Sequence, residues 1–293
     1  TALFHSVSAF CNAGFSLFSD SFVGYNDSYL LNITVCSLIV TGGIGFYVLY
    51  ELQKWLKLRK KKRIRFSVQT KAVVLTTGIL IISGTVLFWL LERQELLAGK
   101  SMCYQILVSI FQSITCRTAG FNTVDLSMLN DATHTMMLFL MFFGASPGSC
   151  GGGVKTTTLA LLTTLTVSRI RRMYRVNLFK KSIPEETVAR CTTLILLSIG
   201  IIGLILFLVL AERALFVHSS NDSFLIYLFE IVSAFGTVGL SLGVTPELSV
   251  WGKFLVIFTM IIGRVGVLTF SYIIIGTNPS NGFEKAEENM MIG

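Results

Sequence analysis

Hydrophobic and polar positions fall along this chain in blocks: uncharged runs, short polar turns, and two stretches crowded with Lys and Arg. Runs 29–50, 72–91, 191–211 and, apart from Arg264, 254–276 each hold about the 20 residues a helix needs to cross a hydrocarbon core. They predict membrane-spanning helices. Gly42, Gly43 and Gly45 lie in the first, where glycine permits close helix packing or a local break, and packing is the expectation. A further run, 132–154, continues beyond Lys155 to Val167 and is too long for one span. Its middle is crowded with glycine and is expected to break it, because glycine is a poor helix former. Three runs, 1–11, 101–116 and 223–236, are too short to cross and predict re-entrant segments that enter and leave by the same side.

Each short run stops at a glycine-centred stretch. These are Asn12-Ala13-Gly14-Phe15, Thr118-Ala119-Gly120-Phe121 and Thr237-Val238-Gly239-Leu240. The preludes SVSAFC and IVSAFG match each other, so the chain reads as a repeat, and repetition decides architecture before any single residue does. Glycine reaches backbone angles closed to other residues and lets neighbouring carbonyls face one way. A row of carbonyls can replace the water shell of a potassium ion. The bland alternative is three tight turns between helices; the shared preludes and flanks weigh against it.

Composition agrees with the membrane class. Hydrophobic residues make up 53% and charged residues 14%, against roughly 25% charged in soluble domains. The net charge of +8 comes largely from two blocks, 54–65 and 169–181, which hold fourteen of the 24 Lys and Arg. Basic loops between spans stay in the cytoplasm, so nucleic acid is rejected as a partner. That topology brings every glycine stretch in from the outer side. It leaves Asp20, Asp27, Glu95, Asp125, Asp131, Asp222 and Glu247 on outer turns, where an acidic rim concentrates cations. A re-entrant helix entering from outside also points its partly negative carboxyl end at the membrane centre. Together these features predict a site for a dehydrated monovalent cation.

Other chemistry finds little support. The six cysteines are scattered and four or more are expected as small core residues, without a disulfide or metal pattern. His5, His134 and His218 are far apart and support no metal site. GSCGGGVKT nearly reads as a nucleotide-binding loop, but Val154 intrudes before Lys155 and a membrane helix precedes it. No acid, base and nucleophile converge, so no enzyme is expected. Arg117 is expected to turn away from the ion path and pair, with Asp125 as candidate. Glu230 stays open between a structural pair and a functional acid, and Lys155 between a snorkelling or paired cation and a gating one. No signal peptide is visible, and the opening TALFHSVSAF reads as the back portion of a longer protein.

The stretches CNAGFSL at 11–17, CRTAGFNT at 116–123, FGTVGLSLG at 235–243 and PGSCGGGVKTTT at 147–158, with Arg264 in IIGRVGVLTF, resemble the Trk/Ktr/HKT superfamily of potassium transporters. The resemblance is strongest to the Ktr-type membrane subunit and covers essentially the whole chain. It implies an all-α polytopic membrane protein of helix–pore loop–helix modules in pseudo-fourfold symmetry. Here the second module falls at 1–57, the third at 58–182, the fourth at 183–276 and a cytoplasmic tail at 277–293; the first module and the first span of the second have no counterpart. The resemblance makes the three glycine stretches a selectivity filter. It makes Gly148, Ser149, Cys150, Gly151, Gly152, Gly153 and Lys155 an intramembrane gate, with Arg264 beside it. It implies potassium uptake across the bacterial inner membrane, sodium as a possible coupling ion, a homodimer, and a cytoplasmic ring of nucleotide-binding regulatory subunits; the blocks 54–65 and 169–181 are read either as that ring's dock or as contacts to anionic membrane lipid. The rival readings are a sodium-conducting member of the same family and a non-transporting membrane scaffold subunit.

Overall fold

The computed structural model describes residues 1–58, 65–173, 175–216 and 223–270. Residues 59–64 of the first basic block, the turn with His218 and Asp222, and the tail 277–293 lie outside the described residues. Within them the chain forms ten α-helices: α1 (Ala2–Phe10), α2 (Tyr29–Ile44), α3 (Phe46–Leu58), α4 (Val68–Glu92), α5 (Met102–Thr115), α6 (Asp131–Phe142), α7 (Thr156–Ile170), α8 (Glu185–Phe216), α9 (Phe224–Gly236) and α10 (Val250–Val265). The short runs become α1, α5 and α9. The second basic block departs from an all-helical reading: it folds into a two-residue ladder of β1 (Asn177–Leu178) and β2 (Lys181–Ser182).

Serine hydroxyls start the helices. Ser67, Ser101, Ser223 and Ser249 accept from the backbone N–H of Thr70, Tyr104, Leu225 and Gly252, each satisfying one orphan donor of a first turn. Among the described residues, α4 and α8 are long and apolar enough to cross a membrane as single helices. The run 29–50 is not the straight span its composition suggests. It bends by 103° between α2 and α3 at Gly45, whose φ of 93° and ψ of 143° are closed to residues with a side chain. Close packing holds as well, one turn earlier: a side chain at Gly42 would run into the Phe10 carbonyl at the end of α1.

The other two repeats break at the same place. Ser28, Asn130 and Ser249 are the N-cap residues of α2, α6 and α10. Counting forward equally from each reaches Gly42, Gly144 and Gly263, and then Gly45, Pro147 and Gly266. Gly263 presses on the Phe235 carbonyl as Gly42 does on Phe10. Gly266 has φ 96° and ψ 132°, nearly those of Gly45. Arg264 therefore sits at the carboxyl end of α10, two residues before the break at Gly266. In the middle repeat the break is drawn out into residues 143–155.

Two apolar clusters knit the repeats together. The larger links α4–α10, with Phe88, Met137, Phe229 and Phe235 at its centre; the smaller links α1, α2 and α5 through Ala9, Phe22, Ile39, Phe111 and Phe121. Helices α4 and α5 touch closely where Gly84 faces Ser113, whose hydroxyl donates to the Ile81 carbonyl at 2.9 Å. Cys36, Cys116 and Cys191 are buried, whereas Cys11 and Cys103 are exposed and Cys150 is half-buried. Fewer cysteines are core residues than the sequence suggests, because α1 and α5 turn one side outward.

Candidate functional site

At the carboxyl ends of α1, α5 and α9 the backbone takes one unusual form three times. Asn12, Thr118 and Thr237 have φ of 50°, 71° and 51°, and Gly14, Gly120 and Gly239 follow at 71°, 82° and 91°. A left-handed residue, an ordinary one and a left-handed glycine thus recur in register. Left-handed geometry costs a non-glycine residue roughly 1–2 kcal/mol, and a β-branched threonine there is a true outlier. Strain of this kind persists where the surroundings over-determine it. The surroundings here are helix caps. Asn12 and Ala13 donate to the Ala9 and Ser8 carbonyls at 3.2 and 2.9 Å, and Thr237 and Val238 to those of Ala234 and Ser233 at 3.0 and 2.9 Å. That bond pair closes a helix on a left-handed residue. In the middle repeat Ala119 and Gly120 both donate to the Thr115 carbonyl, at 3.0 and 3.3 Å.

The three stretches meet. A side chain on Gly14 would lie 2.6 Å from the Ala119 carbonyl, and one on Gly120 would strike the Val238 carbonyl, while Gly239 faces open space. Hydroxyls fix the next carbonyls: Ser8 donates to Phe15 at 2.9 Å and Thr115 to Phe121 at 2.7 Å. Ser8 and Thr115 were not evident as site residues in the sequence, since only the folded turn shows what they hold. At the inner end, the Asn12 amide and the Thr118 hydroxyl are 3.2 Å apart. The Thr237 hydroxyl is buried without a protein partner, although a buried polar atom almost always has one.

Residues 143–155 lie directly beneath. Their neck is tied by Val154 donating to Phe142 and Thr156 to Ala145, both at 3.2 Å. The loop then takes up carbonyls freed by the neighbouring helix breaks. Ser146 donates to Gly43 at 3.0 Å, Cys150 to Gly42 at 3.3 Å and Gly153 to Gly263 at 3.2 Å. Side chains on Gly151 and Gly152 would collide with the hydroxyls of Thr118 and Thr237, so glycine is what lets the loop approach this closely. The loop's own carbonyls receive cations: Lys155 donates to Gly151 at 2.7 Å and Arg264 to Cys150. Gly148 and Ser149 form the corner, where Ser149 donates its hydroxyl to the Ser146 carbonyl at 2.6 Å.

Two charged residues sit otherwise than their sequence positions suggest. Arg117 is buried and does not pair with Asp125; its guanidinium reaches the Thr77 hydroxyl and the Gly144 carbonyl, each at 3.5 Å. Asp125 is exposed on the turn after the second stretch, where its carboxylate accepts from the Ser127 hydroxyl and N–H and is held below the usual aspartate range by those bonds. Glu230 accepts from Ser241 at 2.8 Å and from Thr245, which assigns it to bracing the turn after the third stretch. His5 and His134 are likewise structural: His5 contacts Ser16 and Leu17, and His134 the Leu126 carbonyl. No cluster of His, Cys, Asp and Glu among the described residues could hold a metal.

Half-crossing helices that end on strained turns at one level, framed by long apolar helices, define a polytopic membrane protein. The match to a family model, "Cation transport protein" (TrkH), over residues 1–286 makes the family plain. The chain belongs to the TrkH family of cation transport proteins, which are transporters and not enzymes. It is 40% identical over 282 residues to the Ktr system potassium uptake protein B of Vibrio alginolyticus, covering 95% of this chain and 60% of that protein. It is 36% identical to the Ktr system potassium uptake protein D of Bacillus subtilis, covering 99% and 63%. It is 33% identical to the potassium/sodium uptake protein NtpJ of Enterococcus hirae, covering 100% and 64%. The chain thus spans under two thirds of the length of these relatives. The crystal structure of the potassium transporter TrkH from Vibrio parahaemolyticus shares the fold, with a TM-score of 0.73 at 19% identity, over 94% of this chain and 58% of that one.

Proposed function

We propose that the protein is the ion-conducting subunit of a Ktr/Trk-type system and carries potassium into the cell across the plasma membrane. One observation carries this reading: the left-handed pairs 12/14, 118/120 and 237/239 in three repeats, brought to one place above a glycine loop. The backbone carbonyls of these stretches replace the hydration shell of the cargo ion, and the partner-less Thr237 hydroxyl offers a further oxygen at the inner end. A fourth stretch completes the ring on the open side of Gly239. Residues 148–153, with Lys155 and Arg264, form the barrier below. The modules run 1–57, 58–182 and 183–276, and the basic segments 54–65 and 169–181 face the cytoplasm of a bacterial cell. The subunit works as a homodimer under a ring of nucleotide-binding regulatory subunits that docks on that face.

The test is uptake by the full-length protein with Gly14, Gly120 and Gly239 each replaced by serine. Each change adds a side chain where φ is positive, and the first two push it onto a neighbouring carbonyl. Potassium uptake is expected to fall or to lose its preference over competing sodium. Three variants with parental uptake and selectivity would overturn the ring. A parent that takes up sodium as readily as potassium would assign the chain to a sodium-conducting role, a live outcome because the relative from Enterococcus hirae is named for both ions.

A further inference from the structure

Helix α3 has a direct hold on the corner of the loop. It leaves α2 at 103° and so runs across the direction of that helix. Its first residue grips the loop's corner. The Phe46 N–H donates to the Gly148 carbonyl at 3.0 Å, and the Phe46 ring lies 2.8 Å from where a side chain on Gly148 would begin. Gly45 abuts the Pro147 carbonyl, which a side chain would approach to 2.5 Å. Midway, Glu51 accepts from the Ser67 N–H and hydroxyl at 3.1 and 3.2 Å, pinning α3 to the amino end of α4. The helix therefore has a hinge at Gly45, a pin at Glu51 and a contact with the loop at Phe46.

Its outer side mixes large apolar residues with cations. Phe46, Tyr50 and Leu56 are 72%, 60% and 60% exposed, and Lys54 and Lys57 are exposed on the same short helix. Three large apolar residues and two cations on one in-plane helix is the pattern of a helix lying in a bilayer interface. Tyrosines mark that level, and an anionic leaflet attracts the lysines. The charge complementarity selects the occupant: anionic lipid.

We propose that α3 is seated on the anionic inner leaflet, and that its seating sets the position of the 148–153 loop through the Gly45 hinge and Phe46. The proposal rests on the loop being the barrier. It adds a lipid input that reaches that barrier with no other protein present.

The experiment uses the full-length protein in vesicles of zwitterionic lipid, and in the same lipid mixed with phosphatidylglycerol, without any regulatory subunit. Two readouts run in parallel: potassium flux, and the rate at which a thiol reagent labels Cys150 when the other five cysteines are replaced by serine. Both are expected to differ between the two lipids, by about fivefold for flux. Lys54→Gln with Lys57→Gln is expected to abolish the difference in both readouts by unseating the helix. Phe46→Ala keeps the N–H bond to Gly148 and removes the ring packed on it, and is expected to reduce the difference in both readouts. Equal labelling and equal flux in both lipids would overturn the proposal and leave the transport reading intact. A protein that conducts in neither lipid, yet shows lipid-dependent Cys150 labelling abolished by the lysine changes, would sink the transport reading and support this one. A response that needs an added cytoplasmic protein, with both lipids equivalent, assigns α3 to that protein and overturns the lipid seat.

Discussion

The break after α6 and the breaks after α2 and α10 occupy one position in the repeat, yet they are built differently. Gly45 and Gly266 each turn the chain in a single residue with nearly the same angles. In the middle repeat the turn is opened at Pro147 into a loop that fills the space beneath all three stretches. A helix end exposes unpaired carbonyls. The two simple breaks supply them at Gly42, Gly43 and Gly263, and the elaborated one consumes them with the N–H groups of Ser146, Cys150 and Gly153. The repeats are thus not interchangeable copies. Two make a socket, and one makes the part that sits in it.

The sharpest way to break this comparison is at the glycines before the breaks. Gly42→Ala and Gly263→Ala each drive a methyl into a backbone carbonyl of the preceding half-helix, which cannot step aside. Overpacking of this sort is expected to cost about 3 kcal/mol each, the upper part of the usual range. Gly144→Ala meets the Thr118 methyl at 2.6 Å and the Gly152 carbonyl at 2.8 Å, groups on a side chain and a loop. It is expected to cost clearly less. Thermal unfolding of the full-length protein in detergent measures all three, and an equal loss for Gly144→Ala would show the loop to be as rigid as the half-helices.

A second pair compares the outer ends. Glu92 ends α4 and Glu212 lies in the last turns of α8, in equivalent Glu-Arg steps, and each reaches the start of the post-glycine helix of its own repeat. Glu92 is fully buried and accepts from Thr133 at 2.5 Å and from the Asn130 N–H at 3.1 Å. Glu212 is half-buried and accepts from Ser249. Glu92→Ala leaves the buried Thr133 hydroxyl and the half-buried Asn130 N–H without a partner and is expected to cost about 2 kcal/mol. Glu212→Ala is expected to stay within roughly 0.5 kcal/mol, as surface changes do. The same unfolding assay decides, and equal effects would mean that Glu212 is covered in the full-length protein.

The loop itself is tested by removal. Deleting part of residues 148–153 is expected to raise potassium flux about tenfold in vesicles holding no other protein, a loss of roughly 1.4 kcal/mol of barrier. Arg264→Ala removes the donor to the Cys150 carbonyl and is expected to raise flux by less, with selectivity kept. A shortened, correctly inserted variant as silent as the parent would place the barrier elsewhere.

Much of this arrangement is written in the sequence, because repetition is. The matched preludes and glycines mark the half-helices, and the glycine-rich middle of 132–167 marks the loop. What stays hidden depends on contacts between segments far apart in the chain. Nothing in GGIGF tells that Gly42 packs while Gly45 breaks, since both ask only for glycine. Arg117 looks for an acid nearby in sequence, but Asp125 belongs to the outer turn and the folded chain offers Thr77 and Gly144 instead. The equivalence of Glu92 and Glu212 is written in the repeated Glu-Arg step, but a charge late in an apolar run reads as mere solvation.

Asp125 marks the outer limit of the comparison, where the middle repeat meets water. Its carboxylate caps the short turn Leu126–Met128 by accepting from Ser127 N–H at 3.0 Å and from its hydroxyl at 2.6 Å. Those bonds favour the charged form and lower the pKa from the aspartate value of 3.8. A lowered folded-state pKa gives stability that is present above the unfolded value and lost as pH falls through the folded one. The window therefore lies below about pH 4, and at neutral pH the bond is fully formed. The group is largely solvent-exposed, so screening leaves at most a few tenths of a kcal/mol. Asp125→Asn keeps an oxygen for the Ser127 N–H and is expected to change stability at neutral pH within error, while flattening the acid limb of stability against pH. The corresponding turn after the third stretch, Thr245–Glu247, shows no such side-chain cap. Glu247→Gln should therefore leave the acid limb as it is, and an equal change in both variants would show that the limb reports outer-rim charge and not the cap.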